Sequence, residues 1–390
     1  MTDVRQEDHE ISWRHEIVDP DPPCARLGFC LTTDLTGNGR DDIIVGGAGD
    51  AFPGKGLLWK AVQEGMPSFL SLRRYAGVGE MNLFWYENPG WERHEVAFAP
   101  HLDVGGALGD ISGNGTMDVV AGQGIHHHAV YWFEQPADPR DKWRRHLVTD
   151  AFEKYHDVHV ADVDGDGDQE VIGLSQESGV IFYYDIPADP HQSPWPDDHR
   201  HIIDDDTSVE GVDVVDIDGD GDPEVLAGTS IYSLHDGEWV REDIVTGWDD
   251  TRIAVGDLDS DGDPEIVLSE GDSPHYGTHM GRVAWLDAPD WEPNFLEKNL
   301  FCPHTLQVGD VTGNGAPDIY VAEMALEEND NPVHLLFRND GDGNFDPQTI
   351  MSGVETHEAK LTDLTGDGRL DIAGKSYGPD HHVDVWYNEQ

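Results

Sequence analysis

A nine-residue signature that recurs seven times constrains the fold of this 390-residue chain more than any other feature. Each copy reads Asp-x-[Asp/Thr/Ser]-[Gly/Ser]-[Asp/Asn]-Gly-x-x-[Asp/Glu] and precedes an apolar run. The copies begin at Asp34, Asp110, Asp162, Asp216, Asp257, Asp310 and Asp363. Repetition at a period of about 50 residues is typical of architectures in which one supersecondary unit is repeated.

The residues around each signature have the pattern of four short strands. A short strand such as residues 156–161 leads into the Asp/Gly turn, and a second, apolar strand follows the turn. A third strand is rich in aromatic residues, as in residues 83–88, and a fourth often begins near a Trp. Four strands in each of seven repeats predict an all-β fold, a seven-bladed β-propeller that forms one domain over residues 1–390.

The two ends of the chain indicate how the ring closes. The last repeat stops after its third strand, at residues 383–387, whereas residues 13–18 near the N-terminus match the fourth strands of other repeats. We therefore expect the N-terminal strand to complete the last blade, which leaves no long open sheet edge.

The charge of the chain excludes several classes of partner. The sequence has 79 acidic against 23 basic residues, a formal net charge of −56. Nucleic-acid binding needs a basic surface, and an anionic membrane would repel this protein. No apolar stretch approaches the ~18 residues of a membrane span, and no secretory signal opens the sequence, so we expect a cytoplasmic protein.

The acidity itself has two interpretations. It resembles that of haloarchaeal cytoplasmic proteins, whose carboxylate surfaces stay hydrated in molar KCl, where salt screens their repulsion. The alternative is an acidic, calcium-rich extracellular protein. Cys24, Cys30 and Cys302 are too few for a disulfide framework, so we expect free thiols.

The Asp/Gly turns have the spacing of calcium-binding loops. Oxygen-bearing side chains occupy positions 1, 3, 5 and 9, and Gly at position 6 permits a sharp bend. Three turns carry four carboxylates each and are predicted to bind structural Ca²⁺, through Asp162, Asp164, Asp166 and Glu170, through Asp216, Asp218, Asp220 and Glu224, and through Asp257, Asp259, Asp261 and Glu265. The alternative is turn capping without a metal, which we favour for the turns at Asp34, Asp110 and Asp310.

Blade topology collects unusual residues at the end of the ring opposite these turns, which we call the top. The first strands start there, and more than half of the 21 histidines map to it. His156, His304 and His357 stand six residues before a signature and should meet around the axis. Residues at the first-strand starts are the predicted catalytic residues, namely Tyr155, His156, Arg252, His304, His357 and Lys360.

Top loops, together with the first-strand start at His101, supply the predicted substrate-binding residues. Histidine and cation side chains concentrate in these loops, which suggests an anionic or enolate-forming ligand. The predicted contacts are His101, His127, His128, Arg73, Arg74, Glu323, Lys375 and His381. Arg73 and Arg74 belong to an insertion over residues 51–82, which is interpreted either as a lid or as a surface embellishment.

These residue types predict proton transfer beside a polarised carbonyl. His or Tyr would abstract the proton, and Arg, Lys or a divalent metal at the histidine cluster would stabilise the resulting enolate. Loss of a β C–O bond would complete an elimination, and aromatic side chains suit a carbohydrate substrate. A metal-dependent hydrolase that uses the same cluster is a further alternative.

The repeat pattern resembles the FG-GAP/VCBS-type seven-bladed propellers over nearly the whole chain. Residues 156–167 also resemble the propeller of aldos-2-ulose dehydratases, and the fold resembles propeller-type polysaccharide lyases. The resemblance implies a carbon–oxygen lyase acting on an acidic or keto-sugar, with His156, His304 and His357 as the residues carried over. A non-catalytic propeller that binds carbohydrate or protein is the alternative, because propellers serve many functions.

Overall fold

The computed structural model describes residues 10–24, 26–48, 82–99, 101–102, 104–377 and 381–390. The insertion predicted over residues 51–82 lies outside these ranges except for Asn82, and so do Arg73 and Arg74. Within the described ranges, 28 strands form seven antiparallel sheets of four strands each. The described residues include no helix of the length and apolarity needed to cross a lipid bilayer.

Each sheet is one blade of a propeller, in which four strands run back and forth from the axis outwards. Blades 1 and 2 contain β2 (Leu27–Thr33), β3 (Asp42–Gly47), β4 (Leu83–Glu87), β5 (Glu92–Ala97), β6 (Gly106–Gly109), β7 (Asp118–Gly122), β8 (Val130–Glu134) and β9 (Arg144–Thr149). Blades 3 and 4 contain β10 (Tyr155–Ala161), β11 (Glu170–Ser175), β12 (Val180–Asp185), β13 (Arg200–Asp204), β14 (Val212–Val215), β15 (Glu224–Ala227), β16 (Ser230–His235) and β17 (Glu238–Asp243).

The remaining blades follow the same order, with one exchange at the ends of the chain. Blades 5 and 6 contain β18 (Thr251–Gly256), β19 (Glu265–Glu270), β20 (Gly281–Leu286), β21 (Asn294–Leu300), β22 (Thr305–Gly309), β23 (Asp318–Ala322), β24 (Val333–Asn339) and β25 (Phe345–Ser352). Blade 7 contains β26 (Glu358–Thr362), β27 (Asp371–Lys375), β28 (Val383–Asn388) and β1 (Trp13–Asp19).

The ring closes as the sequence predicted. Strand β1 pairs with β28 in a register that places Trp13 opposite Asn388 and His15 opposite Trp386. The first strands of neighbouring blades contact one another all around the axis, including the contact between β2 of blade 1 and β26 of blade 7. The seven-bladed β-propeller is therefore confirmed.

The hydrophobic core lies between the blades. Side chains of a strand alternate between its two faces, so each sheet presents apolar residues to both neighbours. Seven apolar clusters occur in the described part of the chain, one at each junction between blades. At the first junction Phe29, Trp85 and Phe133 are buried completely, and each such side chain stabilises the fold by roughly 1.5–3 kcal/mol.

The Asp/Gly turns join the first and second strands and hold their own backbone. In blade 3 the Asp162 carboxylate accepts hydrogen bonds from the amides of Gly165 at 2.8 Å and Gly167 at 3.0 Å. Both glycines have left-handed backbone angles, with φ of 76° and 93°, which residues with a Cβ rarely adopt. Because each turn lies at the far end of a first strand, the starts of these strands meet at the top.

The three cysteines are free thiols, as predicted. Cys24, Cys30 and Cys302 are all buried and form no disulfide. Burial raises the pKa of each thiol to about 12, so none is a reactive thiolate at neutral pH.

Candidate functional site

A cavity of about 870 Å³ opens at the top of the ring, where the first strands begin. Every blade contributes residues to its wall, and the structure brings His156, His304 and His357 together there. Two further predicted catalytic residues, Arg252 and Lys360, also line it. This cavity is the candidate functional site.

Two histidines and a glutamate converge in the wall of the cavity. His156, Glu210 and His304 come from blades 3, 4 and 6, and their ligand atoms lie within 4.8 Å of one another. The Nε2 atom of His156 is 3.0 Å from Glu210 Oε1. The other carboxylate oxygen, Glu210 Oε2, is buried and has no hydrogen-bond partner among the described residues. An unpartnered oxygen beside two imidazoles fits a metal ion.

Each member of this cluster is oriented by a partner behind it. His156 Nδ1 lies 2.9 Å from Asp157 Oδ2, and His304 Nδ1 lies 2.9 Å from the carbonyl oxygen of His357. Gln176 donates a hydrogen bond of 2.9 Å to Glu210 Oε1. Metal-binding histidines use such outer partners to fix the ring and aim the second nitrogen.

The pKa values of His156 and His304 shift in opposite directions. Burial lowers the pKa of His156, but the nearby Glu210 and Asp157 outweigh it and raise that pKa to about 10. Burial lowers the pKa of His304 to about 3, and the positive charge of Arg252 acts in the same direction. At neutral pH without a metal, His156 is therefore a cation between two carboxylates, and His304 is neutral.

Three rings stack in the wall of the cavity, and His304 of the cluster is one of them. His357 lies between His304, at a centroid distance of 4.0 Å, and Tyr377, at 4.5 Å. Burial lowers the pKa of His357 well below its ordinary value, with His304 adding to the effect. The Tyr377 hydroxyl accepts a hydrogen bond of 2.8 Å from Arg26. A neutral imidazole thus faces the cavity beside the two-histidine cluster.

A buried lysine lies behind His357. Lys375 has no exposed surface, contacts His357 Nδ1, and donates a hydrogen bond of 3.0 Å to the carbonyl oxygen of Leu27. Burial lowers the pKa of Lys375 to about 7. This residue was predicted to bind substrate, but its position allows it to act on a ligand only through His357.

Other predicted residues hold the fold rather than the cavity. The Tyr155 hydroxyl accepts from the Phe152 amide at 2.8 Å and donates to the His128 carbonyl at 3.0 Å, and its ring is buried. Glu323 is also buried and accepts hydrogen bonds from the amides of Phe301 and Val333. Tyr155 and Glu323 therefore position loops and are not part of the cavity wall.

The remaining predicted contacts lie near the top but outside the cavity wall. His101 stacks on His127 at 4.1 Å, and burial lowers the pKa of His101 to about 3. His128 is exposed, and His381 is half-buried just before β28. By contrast, Lys360, which was predicted to be catalytic, lines the cavity and pairs with Glu358 at 2.9 Å.

The sequence analysis gave Glu210 no role in the site, although its repeat position indicates one. It stands six residues before the signature at Asp216, the repeat position that His156 and His304 also occupy. Asp272 and Tyr276 come from the β19–β20 loop and have no repeat position to identify them. Burial and the charge of Glu210 raise the pKa of Asp272 to about 7, and Tyr276 is 74% exposed at the cavity mouth.

The three carboxylate-rich turns each gather three of the four predicted ligands. Positions 1, 3 and 9 form compact groups, namely Asp162, Asp164 and Glu170, Asp216, Asp218 and Glu224, and Asp257, Asp259 and Glu265. Position 5 lies outside each group, and Asp166, Asp220 and Asp261 each accept a hydrogen bond of 2.9 Å from the amide two residues on.

Unpartnered oxygens make two of these groups, those that begin at Asp216 and Asp257, fit a cation. Glu265 is buried, and its Oε1 atom and Asp257 Oδ1 have no hydrogen-bond partner within the described ranges. Burial and the charges of Asp259 and Asp261 raise the pKa of Glu265 to about 7, a repulsion that a bound cation would relieve.

The other turns differ at position 9, where Asp replaces Glu. In blade 1 the Asp42 carboxylate accepts from the Leu35 amide at 3.0 Å and from the Asn88 amide at 2.7 Å, so both oxygens are used. Asp318 does the same with the amides of Val311 and Asn339. The shorter side chain serves the backbone, which supports capping without a metal in these turns.

Comparison with known proteins identifies the repeat. The FG-GAP-like repeat family matches the chain at residues 110–173, 162–227 and 310–374. No curated protein matches the sequence. Among solved structures, a chain of the Photorhabdus luminescens Tc holotoxin pore is 13% identical with a TM-score of 0.40, covering 74% of this chain and 14% of that chain. From its blades and matched repeats, the chain is a seven-bladed β-propeller that carries FG-GAP-like repeats.

Proposed function

We propose that the chain is a carbon–oxygen lyase that acts on an acidic or keto-sugar by proton abstraction and β-elimination at the top of the channel. The observation that carries this proposal is the convergence of His156, Glu210 and His304 beside the neutral ring of His357 in one cavity. The cluster suits charge stabilisation, and the ring of His357 is unprotonated at neutral pH and can accept a proton.

The cluster has the composition of a catalytic metal site. Two imidazoles and one carboxylate suit a divalent transition metal, and three protein ligands leave a coordination position open towards the cavity. A metal held there would polarise a substrate carbonyl and stabilise the enolate that forms when the neighbouring proton leaves. His156, Glu210 and His304 would hold it.

The chain's own residues divide the remaining work. His357 takes the proton α to the carbonyl on its Nε2 atom, while its Nδ1–H donates to the neutral amine of Lys375, which holds the ring in place. The electron pair released forms a C=C bond as the β C–O bond breaks. Asp272, whose pKa burial and the charge of Glu210 raise to about 7, gives its proton to the leaving oxygen. Lys360 attracts a carboxylate group of the substrate, and Tyr276 offers an aromatic face to a sugar ring.

An absorbance assay tests this proposal. Metal-loaded protein in high KCl is mixed with oligouronides and keto-sugars, and the ultraviolet absorbance of an unsaturated product is followed. We expect the signal from the wild type, its loss in His357→Ala and Glu210→Gln, and its retention in His201→Ala. His201 is a matched control, since it is a surface histidine paired with Asp185 at 3.2 Å. Equal rates in His357→Ala and the wild type would contradict the assigned base.

The alternative is a non-catalytic, calcium-stabilised propeller that binds carbohydrate or protein. The exposed Tyr276 favours carbohydrate in this case too, because aromatic faces at a cavity mouth stack on sugars. Binding on a glycan array without any turnover of the bound sugar would select this alternative over the lyase.

Structural Ca²⁺ at the three carboxylate-rich turns and a cytoplasmic, high-salt setting complete the proposal. The unpartnered oxygens of Asp257 and Glu265 support the calcium sites. The net charge of −56 supports the high-salt setting.

A further inference from the structure

Blades 1 and 2 carry the same pair of side chains at their outer edges. On β5 the ring of His94 lies 4.5 Å from Trp85 of β4, and its Nε2 atom is 2.9 Å from Glu87 Oε2. On β9 His146 repeats this arrangement, with Nε2 at 3.1 Å from Glu134 Oε2, over a tryptophan of β8. The same histidine, glutamate and tryptophan arrangement therefore lies at the junction between blades 1 and 2 and at the junction between blades 2 and 3.

The next blade reaches each pair with a loop of nearly the same sequence. Residues 136–140 read Pro-Ala-Asp-Pro-Arg, and residues 187–191 read Pro-Ala-Asp-Pro-His. The Asp138 carboxylate accepts a hydrogen bond from the Arg140 amide at 3.1 Å, and the Asp189 carboxylate accepts one from the His191 amide at 3.2 Å. Arg140 and His191 thus occupy equivalent places at two successive junctions.

At the junction between blades 1 and 2, Arg140 and Glu87 form an ion pair. Arg140 Nε donates to Glu87 Oε2 at 2.9 Å, and a second guanidinium nitrogen contacts Glu87 Oε1. Such a two-point contact between a guanidinium and a carboxylate satisfies both groups without a further ligand.

The junction between blades 2 and 3 has histidine where that arginine stands. His191 Nε2 is 3.6 Å from Glu134 Oε1, and its Nδ1 lies 3.2 Å from Asp189 Oδ1. The rings of His146 and His191 are 5.2 Å apart, and the ligand atoms of Glu134, His146 and His191 all lie within 4.8 Å of one another. Asp189 stands behind His191 as the outer carboxylate that metal-binding histidines use.

We propose that Glu134, His146 and His191 bind a Zn²⁺ ion that bridges blades 2 and 3. Two imidazole nitrogens and a carboxylate are ligands that Zn²⁺ accepts in a tetrahedral site. The side chain of His146 is 13% exposed and that of His191 is 46% exposed, so water can complete the coordination. The ion would join blades 2 and 3 at this junction, as the ion pair between Arg140 and Glu87 joins blades 1 and 2 at the previous one. This site lies at the outer edge of the ring and does not depend on the proposed lyase.

Zinc content and thermal stability test the proposal with one matched substitution. The comparison is made in the His304→Ala background, which removes a ligand of the cavity cluster. His191→Arg rebuilds the arginine ion pair of the preceding junction, so we expect an unchanged fold and melting temperature without zinc. Elemental analysis after equilibrium dialysis should show one zinc fewer per chain than in the protein with His191. Zinc should raise the melting temperature only where His191 is present.

A reciprocal substitution adds a second test. Arg140→His places an imidazole beside Glu87 and His94, and we expect one additional zinc per chain, which Glu87→Gln should remove again. Equal zinc content with and without His191→Arg, or no gain with Arg140→His, would overturn the proposal.

Discussion

The Asp157 carboxylate forms a two-point ion pair with the Arg252 guanidinium at 3.2 and 3.3 Å, between blades 3 and 5. The same carboxylate contacts His156 Nδ1 at 2.9 Å and accepts a hydrogen bond from the Gly211 amide at 3.0 Å. Arg252, predicted as a catalytic residue, thereby fixes the carboxylate that orients His156. Burial alone would raise the pKa of Asp157, but Arg252 and His156 hold it well below its ordinary value.

Asp157 is thus a positioning residue for the metal cluster. We expect Asp157→Asn to weaken metal binding by roughly 10–100-fold, because the His156 ring loses the carboxylate that fixes its orientation. Competition with a chelator measures the affinity. Asp185→Asn is the control, since Asp185 makes a similar contact of 3.2 Å to His201 on the surface. Equal affinities for all three proteins would contradict the role assigned to Asp157.

The buried Lys375 predicts a pH dependence of stability. Its pKa falls from an ordinary 10.5 to about 7 on folding, so the unfolded chain binds one more proton between these values. The free energy of unfolding therefore gains up to ~1.4 kcal/mol per pH unit from this group as the pH rises above about 7. Urea unfolding at several pH values should show this rise in the wild type and in Lys298→Met, an exposed control, but not in Lys375→Met. A rise of the same size in Lys375→Met would contradict the assignment.

The type of carboxylate at position 9 predicts which turns bind calcium. We expect Glu265→Gln to lower the calcium content by one ion per chain, because it removes the charge of a buried ligand. Asp318→Asn should leave the calcium content unchanged, because both oxygens of Asp318 bond to backbone amides. Elemental analysis after dialysis against buffered Ca²⁺ measures both. A loss of calcium in Asp318→Asn would contradict the distinction between the turns.

The net charge of −56 predicts that salt stabilises the fold. Repulsion between surface carboxylates falls as the Debye length shortens from about 10 Å at 0.1 M salt to about 3 Å at 1 M. The melting temperature should rise steeply with KCl over this range, as measured by circular dichroism. A melting temperature that is independent of KCl would remove the support for a high-salt setting.

Repetition explains why the sequence predicted the blades and the ring closure. A pattern present seven times fixes the strand order, and the partial last repeat together with residues 13–18 predicts the shared blade. The same logic placed His156, His304 and His357 at one axis. It also applies to Glu210, which stands at the same repeat position in blade 4 but carries a carboxylate in place of an imidazole.

The alternation of side chains between the two faces of a strand explains why Tyr155 does not line the cavity as predicted. Tyr155 precedes His156 directly, so its side chain points to the opposite face of β10 and packs into the core between blades. Lys375 is the last residue of β27, and its side chain runs beneath His357 instead of into the cavity.

Loop residues make up the part of the site that the repeat pattern did not predict. Asp272, Tyr276 and Tyr377 reach the cavity from segments whose paths no periodicity describes. Position 5 of the carboxylate-rich turns also has ligand spacing in the sequence, yet it lies outside the group that positions 1, 3 and 9 form. Spacing alone does not separate these two uses of an aspartate.

The formation of a carbon–carbon double bond tests the central claim most directly. Proton NMR of the metal-loaded wild type with oligouronides and keto-sugars should show loss of the proton α to the carbonyl and growth of a vinylic resonance, with neither change in His357→Ala. Substrates that stay unchanged with the metal-loaded wild type, or a vinylic product that forms equally fast in His357→Ala, would contradict the account.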